Sequence, residues 1–140
     1  MNVKVFQVKD QTILENNYYE PFTKISDKKI NTDRDLMIYT WSKLKNIPVE
    51  CDILFDLSHF KFPISDSTGL DEMIQKKIQK HSSYNNIIKS ILKSIELNEY
   101  QKIGIICNSG KIISVAFAEL LKKDYYQTSI VHHNNLKVYS

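Results

Sequence analysis

The chain reads as a single α/β domain, a largely parallel sheet flanked by helices with an extra N-terminal β-hairpin, and three observations predict it. Short apolar runs at 36–41, 51–57, 103–106 and 128–131 have the length and buried character of strands. Between the later runs lie longer segments whose apolar residues recur three and four apart, as on one face of a helix. Finally, Lys102-Ile-Gly-Ile-Ile-Cys-Asn-Ser-Gly-Lys-Ile-Ile-Ser-Val-Ala-Phe-Ala-Glu-Leu-Leu passes from an apolar strand through a small polar turn into an amphipathic helix.

The elements follow in order. Residues 2–8 alternate as a strand does, and 12–14 form its return across the polar turn Lys9-Asp-Gln; this hairpin belongs to an extension, 1–35, packed on the main domain, 36–140. Asn16-Asn-Tyr-Tyr-Glu-Pro and Ser26-Asp-Lys-Lys read as loops. Strand 36–41 leads into a short segment ending at Pro48, and strand 51–57 ends in a polar loop with Pro63. A helix starts near Gly69, capped by Thr68, and carries Ile74, Ile78, Ile87, Ile88, Ile91, Leu92 and Ile95 at helical spacing; His81-Ser-Ser divides it in two. Strand 103–106, helix 110–122 and strand 128–131 complete the pattern.

With 140 residues, 42% hydrophobic and 25% charged, the chain has the composition of one globular domain. No apolar run reaches the length of a membrane span, and the start lacks the continuous apolar core of a signal peptide, so a cytoplasmic location is expected, bacterial or, for a phage protein, that of its host. Cys51 and Cys107 make no disulfide framework and no zinc spacing. The net charge of +3 is nearly all lysine, since Arg34 is the only arginine. Arginine makes the bidentate contacts of specific nucleic-acid readout, so that class is disfavoured and only weak attraction to polyanions follows.

The turn after 103–106 is the strongest functional signal. A helix start leaves backbone N–H groups without partners at the positive end of the dipole, where a phosphate or carboxylate docks, and Gly110 lets a backbone approach closely. Two sharper motifs fail on the letters. Gly104 and Gly110 enclose five residues and Ile112 follows Lys111, which excludes the P-loop of nucleoside triphosphatases. A cysteine phosphatase loop needs an arginine six residues after Cys107, where Ile113 stands. Parallel sheets bind ligands beyond the carboxyl ends of their strands, and Thr40, Asp56, His59, Asn108, Ser109 and His133 all lie there.

Four motifs in order, Asp52-Ile-Leu-Phe-Asp-Leu, Thr68-Gly-Leu-Asp, Ile103-Gly-Ile-Ile-Cys-Asn-Ser-Gly-Lys-Ile-Ile-Ser-Val-Ala-Phe-Ala-Glu and Val131-His-His-Asn-Asn-Leu, resemble the C-terminal domain of the RNase adapter protein RapZ over roughly 36–136. That family's pattern reads D-I-V-F-D-V-R-F, T-G-L-D, I-G-I-G-C-T-G-G-x-H-R-S-V-x-I-A-E and V-x-H-R-D-L. The resemblance implies an α/β module that senses glucosamine-6-phosphate, binds small regulatory RNA, self-associates and contacts partner proteins without catalysis. It places a ligand phosphate on the turn from Cys107 to Ser114, with Asp56, Thr68, Gly69 and His133 around it. The charged clamp of the family is missing here: its His-Arg pair is Ile112-Ile113, its Arg-Asp is Asn134-Asn135, its next arginine is Ser58, and Ile106 replaces a glycine. Lys111 then stands as the only cation near the turn.

Each candidate also has a bland role. Cys107 can simply pack at a strand end, Asp56 can cap a loop, and a surface position is the default for His59. Adjacent strand residues point to opposite faces, so at most one of His132 and His133 faces the crevice, and His133 is preferred there as a hydrogen-bonder rather than a metal ligand. Lys76, Lys77 and Lys80 read first as a solvated helix face, and Tyr125 and Tyr126 as rings at a core edge. The expected function is a non-catalytic regulatory module that holds a phosphorylated small molecule, a sugar phosphate or nucleotide, through Thr40, Asp56, His59, Thr68, Gly69, Cys107, Asn108, Ser109, Gly110, Lys111, Ser114 and His133. No cofactor and no metal are expected, and homo-oligomers are. The alternatives are an RNA- or protein-binding adapter with a vestigial pocket and, last, an enzyme acting on phosphoesters or nucleotides with Asp56 and His133 as base and acid.

Overall fold

The computed structural model describes residues 4–7, 34–45, 49–63 and 66–136. Its strands are β1 (Lys4–Gln7), β2 (Met37–Ser42), β3 (Ile53–Asp56), β4 (Lys102–Cys107) and β5 (Ile130–His133), and its helices α1 (Glu72–Gln79), α2 (Tyr84–Asn98) and α3 (Ile113–Asp124). The strands form one sheet in the order β1-β3-β4-β2-β5, and every ladder is parallel. This is the α/β single domain that the alternation of apolar runs and helical periods predicts. Of the expected hairpin, β1 pairs in parallel with β3 through Lys4 and Ile53 at one sheet edge; the returning strand 12–14 lies outside the described residues.

The two faces of the sheet are used unequally. Ile38, Ile53, Phe55, Ile103 and Ile105 join the apolar stripes of α1, α2 and α3 in the main core, together with Phe117 and Tyr126. On the opposite face Trp41, Cys51 and Ile106 make a smaller cluster with Tyr39, Val49 and Leu54. The connections β3 to β4 and β4 to β5 step one way across the sheet over the helical face. The β2 to β3 connection steps back and lays Val49 and Cys51 on the other face, so all three keep one handedness. Trp41 lies across Gly104, where a Cβ would come within 2.6 Å of the indole.

Local chemistry sets the ends. Asp71, rather than Thr68, caps α1: its Oδ1 accepts the Met73 N–H at 2.9 Å, while Thr68 Oγ1 accepts the Leu70 N–H at 3.2 Å in a turn of its own. His81 Nδ1 accepts the Ser83 N–H at 3.1 Å in the break between the helices, its ring against Phe60. The lone arginine is structural. Arg34 donates to the carbonyls of Ile95 at 3.0 Å and Tyr100 at 2.7 Å, covering the last turn of α2, and pairs with Glu96, which also accepts the buried Tyr126 hydroxyl at 2.6 Å. No helix of the described residues is long and apolar enough to cross a membrane.

Candidate functional site

The turn after β4 closes on its own cysteine. Cys107 Sγ accepts the N–H groups of Gly110 at 3.2 Å and Ser114 at 3.4 Å, and the thiol donates to Ser114 Oγ at 3.2 Å. One N–H group of the first turn of α3, that of Ser114, and one of the turn before it, that of Gly110, therefore point at a sulfur of the protein. Ile113 joins the core and Ile112 packs against it, so both isoleucines turn toward the apolar interior. Asn108, Ser109 and Lys111 are left as the exposed rim.

Both glycines of the predicted site make close approaches, and both approaches are internal. Gly110 sits at φ +70, in the left-handed region, and a Cβ on it would lie 2.5 Å from the Ser42 nitrogen and 2.7 Å from Asn135 Oδ1. Asn135 Oδ1 accepts the Ser42 N–H at 2.7 Å, and Ser42 Oγ donates to the Asn108 carbonyl at 2.5 Å, so the 134–135 turn and the 108–110 turn are tied to the end of β2. A Cβ on Gly69 would lie 2.2 Å from the Ala116 nitrogen. The Gly69 N–H donates to the Lys111 carbonyl at 2.9 Å, and its own carbonyl accepts from the buried Gln75 amide at 2.8 Å. The Thr68-Gly69 loop is thereby seated on the first turn of α3.

Lys43, which sequence reasoning passed over, is a second cation near the turn. It follows the last residue of β2, and its N–H donates to the Cys107 carbonyl at 2.9 Å, which anchors it beside the turn. Its Nζ donates to Asp56 Oδ2 at 2.9 Å and to Ser58 Oγ at 3.3 Å, and the side chain is still 41% exposed. Asp56 is buried at the end of β3, its Oδ1 accepting the Ser58 N–H at 2.9 Å. Burial acts to raise the Asp56 pKa, but the hydrogen bonds from Lys43 and Ser58 and the charge of Lys43 outweigh it and hold the carboxyl below its ordinary value. An ammonium has three protons to donate and these contacts use two. The signal that could have found Lys43 is the rule that already picked out its neighbours: it lies just past a strand's carboxyl end.

On the other side of β2 the candidates are closed. Thr40 and His133 face each other across β2 and β5, with Oγ1 2.8 Å from Nδ1, and Glu119 of α3 meets Nε2 at 2.8 Å. Thr40 is fully buried, and both ring nitrogens of His133 are engaged. The His133 hydrogen bond holds the Glu119 carboxyl below its ordinary value, against the opposing effect of burial and with help from the charges of His133 and Lys122. As their alternation requires, His132 points the other way and stacks on Tyr39 at 5.1 Å. His59 is exposed. Glu119 was also passed over, because a single carboxylate in an apolar helix does not disclose that it turns toward the sheet.

The twelve predicted residues thus divide into a closed turn (Cys107, Gly110 and Ser114 with Thr68 and Gly69), exposed residues (His59, Asn108, Ser109 and Lys111), the buried Asp56 with its partner Lys43, and a hydrogen-bonded chain in which the buried Thr40 meets the partly buried His133 and Glu119.

No protein-family model matches the chain. It is similar to curated relatives that bear the name nucleotide-binding protein. One from Shewanella sp. (strain W3-18-1) is 28% identical over 148 aligned positions, which cover 80% of this chain and 52% of the relative. Another, from Thermotoga neapolitana, is 28% identical over 110 positions, covering 66% of this chain and 39% of the relative. A third, from Shewanella halifaxensis, is 30% identical over 126 positions, 76% of this chain and 44% of the relative. The chain spans about half the length of the curated relatives it matches.

Proposed function

We propose that this chain is a non-catalytic binding module, a divergent relative of the C-terminal domain of RapZ, that holds a phosphorylated small molecule at the carboxyl ends of β2, β3 and β4 and acts in regulation. One observation carries the reading: the Lys43 ammonium, held by the buried Asp56, spends two of its three protons on Asp56 and Ser58 on a side chain that stays 41% exposed, and the Lys43 backbone is bonded to the Cys107 carbonyl, where the turn with the exposed Asn108, Ser109 and Lys111 begins. Two lysines and neutral hydrogen-bonders suit one terminal phosphoryl group. The name of the relatives supports a nucleotide as its carrier and the resemblance supports a sugar phosphate; either fits a chain that lacks the P-loop glycine and lysine spacing. Catalysis finds little support, since Asp56 is ion-paired and His133 has no ring nitrogen to spare.

The test is calorimetric titration with a panel of sugar phosphates and mono-, di- and cyclic nucleotides, on the wild type and on Lys43→Ala and Lys111→Ala. One compound binding with affinity cut about tenfold or more by Lys43→Ala is the expected result, the loss of one charge-assisted contact being worth that much. Gly110→Asp is no substitute probe, because its side chain would strike Ser42 and Asn135 before it met a ligand. Binding that ignores both lysines overturns the site. A panel without any binder favours a second reading, an adapter with an inert pocket, for which the observation is that Gly110 and Ser114 direct their N–H groups to Cys107.

A further inference from the structure

The outer face of α1 carries a combination that a merely solvated helix does not. Met73, Lys76, Lys77 and Lys80 follow one another at helical spacing, opposite the buried Ile74, Gln75 and Ile78. Met73 is 66% exposed, and Leu70, one residue before the cap, is 52% exposed, so two large apolar side chains stand at the head of a lysine stripe. Among the described residues no ion pair joins Lys76, Lys77 or Lys80 to a carboxylate. Part of the stripe has a local purpose, since cations in a last turn offset the negative end of the helix dipole. That purpose does not account for Leu70 and Met73.

We infer that this face docks an amphipathic helical segment of a partner protein, with apolar anchors seated on Leu70 and Met73 and Asp or Glu side chains set against Lys76, Lys77 and Lys80. Charge complementarity selects the occupant: three cations without an ion pair among the described residues fit a row of carboxylates, and lysine stems add apolar surface beside Met73. Nucleic acid fits less well. Asp66, Asp71 and Glu72 lie at the Leu70 end and would repel a phosphate backbone, which gains nothing from exposed Leu or Met, and the surface has no arginine. A second copy of this same face would set lysine against lysine.

The test uses a fluorescein-labelled synthetic 18-residue helix with leucine every third and fourth position and glutamate between, a twin with lysine for each glutamate, and a 12-nucleotide RNA. Anisotropy titrations with the full chain should show saturable binding of the glutamate helix, weakened at least tenfold by the triple variant Lys76→Glu, Lys77→Glu, Lys80→Glu and at least threefold by Met73→Ser. The triple variant should in turn bind the lysine helix, which separates lost complementarity from lost structure, and circular dichroism on each variant verifies the fold. No saturable binding of the glutamate helix overturns the inference, as does indifference to Met73→Ser. RNA binding that exceeds the peptide's and falls in the triple variant overturns it in favour of nucleic acid.

Discussion

The two polar pairs that flank β2 differ in how much hydrogen-bond capacity they leave unused. Lys43 and Asp56 lie toward β3, where a buried carboxylate holds an ammonium that still faces water; His133 and Glu119 lie toward β5, where a ring has spent both nitrogens on Thr40 and Glu119. The two contacts are of similar length, 2.9 Å and 2.8 Å. What separates them is the remaining hydrogen-bond capacity, one donor on a lysine with three and none on a histidine with two. Proximity to a crevice does not make a residue a ligand contact; a free donor or acceptor is also needed.

The largest effect expected bears on the frame that holds both pairs. Gly69→Val should abolish folding or cost more than about 3 kcal/mol, because its side chain has no room against the Ala116 and Ile112 backbone, and chemical denaturation would measure it. If the variant is as stable as the wild type, the loop is not seated as described. The next prediction separates the two pairs. Glu119→Ala should cost about 1–3 kcal/mol by stranding the His133 ring among buried neighbours, with phosphate-ligand affinity unchanged, whereas Asp56→Asn should cost about 1 kcal/mol and lower that affinity severalfold. The reverse pattern would move the site to the β5 side. Thr40→Val keeps the volume and removes the hydroxyl partner of His133, for a smaller loss of about 1 kcal/mol.

The smallest effect is in pH. Both Asp56 and Glu119 have folded pKa values below those of the unfolded chain, so each contributes stability that is present above about pH 4, the unfolded carboxylate range, and is lost as pH falls through the lower folded value. Thermal midpoints should fall steadily below pH 4. In the double variant Asp56→Asn, Glu119→Gln that slope should flatten; an unchanged slope would assign the acid sensitivity to other carboxylates.

Much of the frame was legible from local patterning. Apolar runs of strand length and a stripe of isoleucines at 74, 78, 87, 88, 91 and 95 leave few ways to bury their surface except a sheet with helices laid on it. Turn chemistry was harder to read. Thr68 and Asp71 are both capping residues, and only the chain path shows that Asp71 reaches an N–H in the first turn of α1.

The sequence by itself determined the α/β class, the crossover order of strand and helix, the opposite facing of His132 and His133, and the absence of arginine from the turn, because each depends on residue type and on spacing along the chain. The tertiary structure alone decided which polar groups meet. Lys43 reaches Asp56 across 13 residues, Glu119 reaches His133 across 14, and Asn135 reaches Ser42 across 93. The same is true of the glycines, whose bare α-carbons announced a close approach without saying to what. The physical reason is that a hydrogen bond depends on direction and on a distance of about 3 Å, and both are set by the strand order β1-β3-β4-β2-β5 rather than by sequence separation.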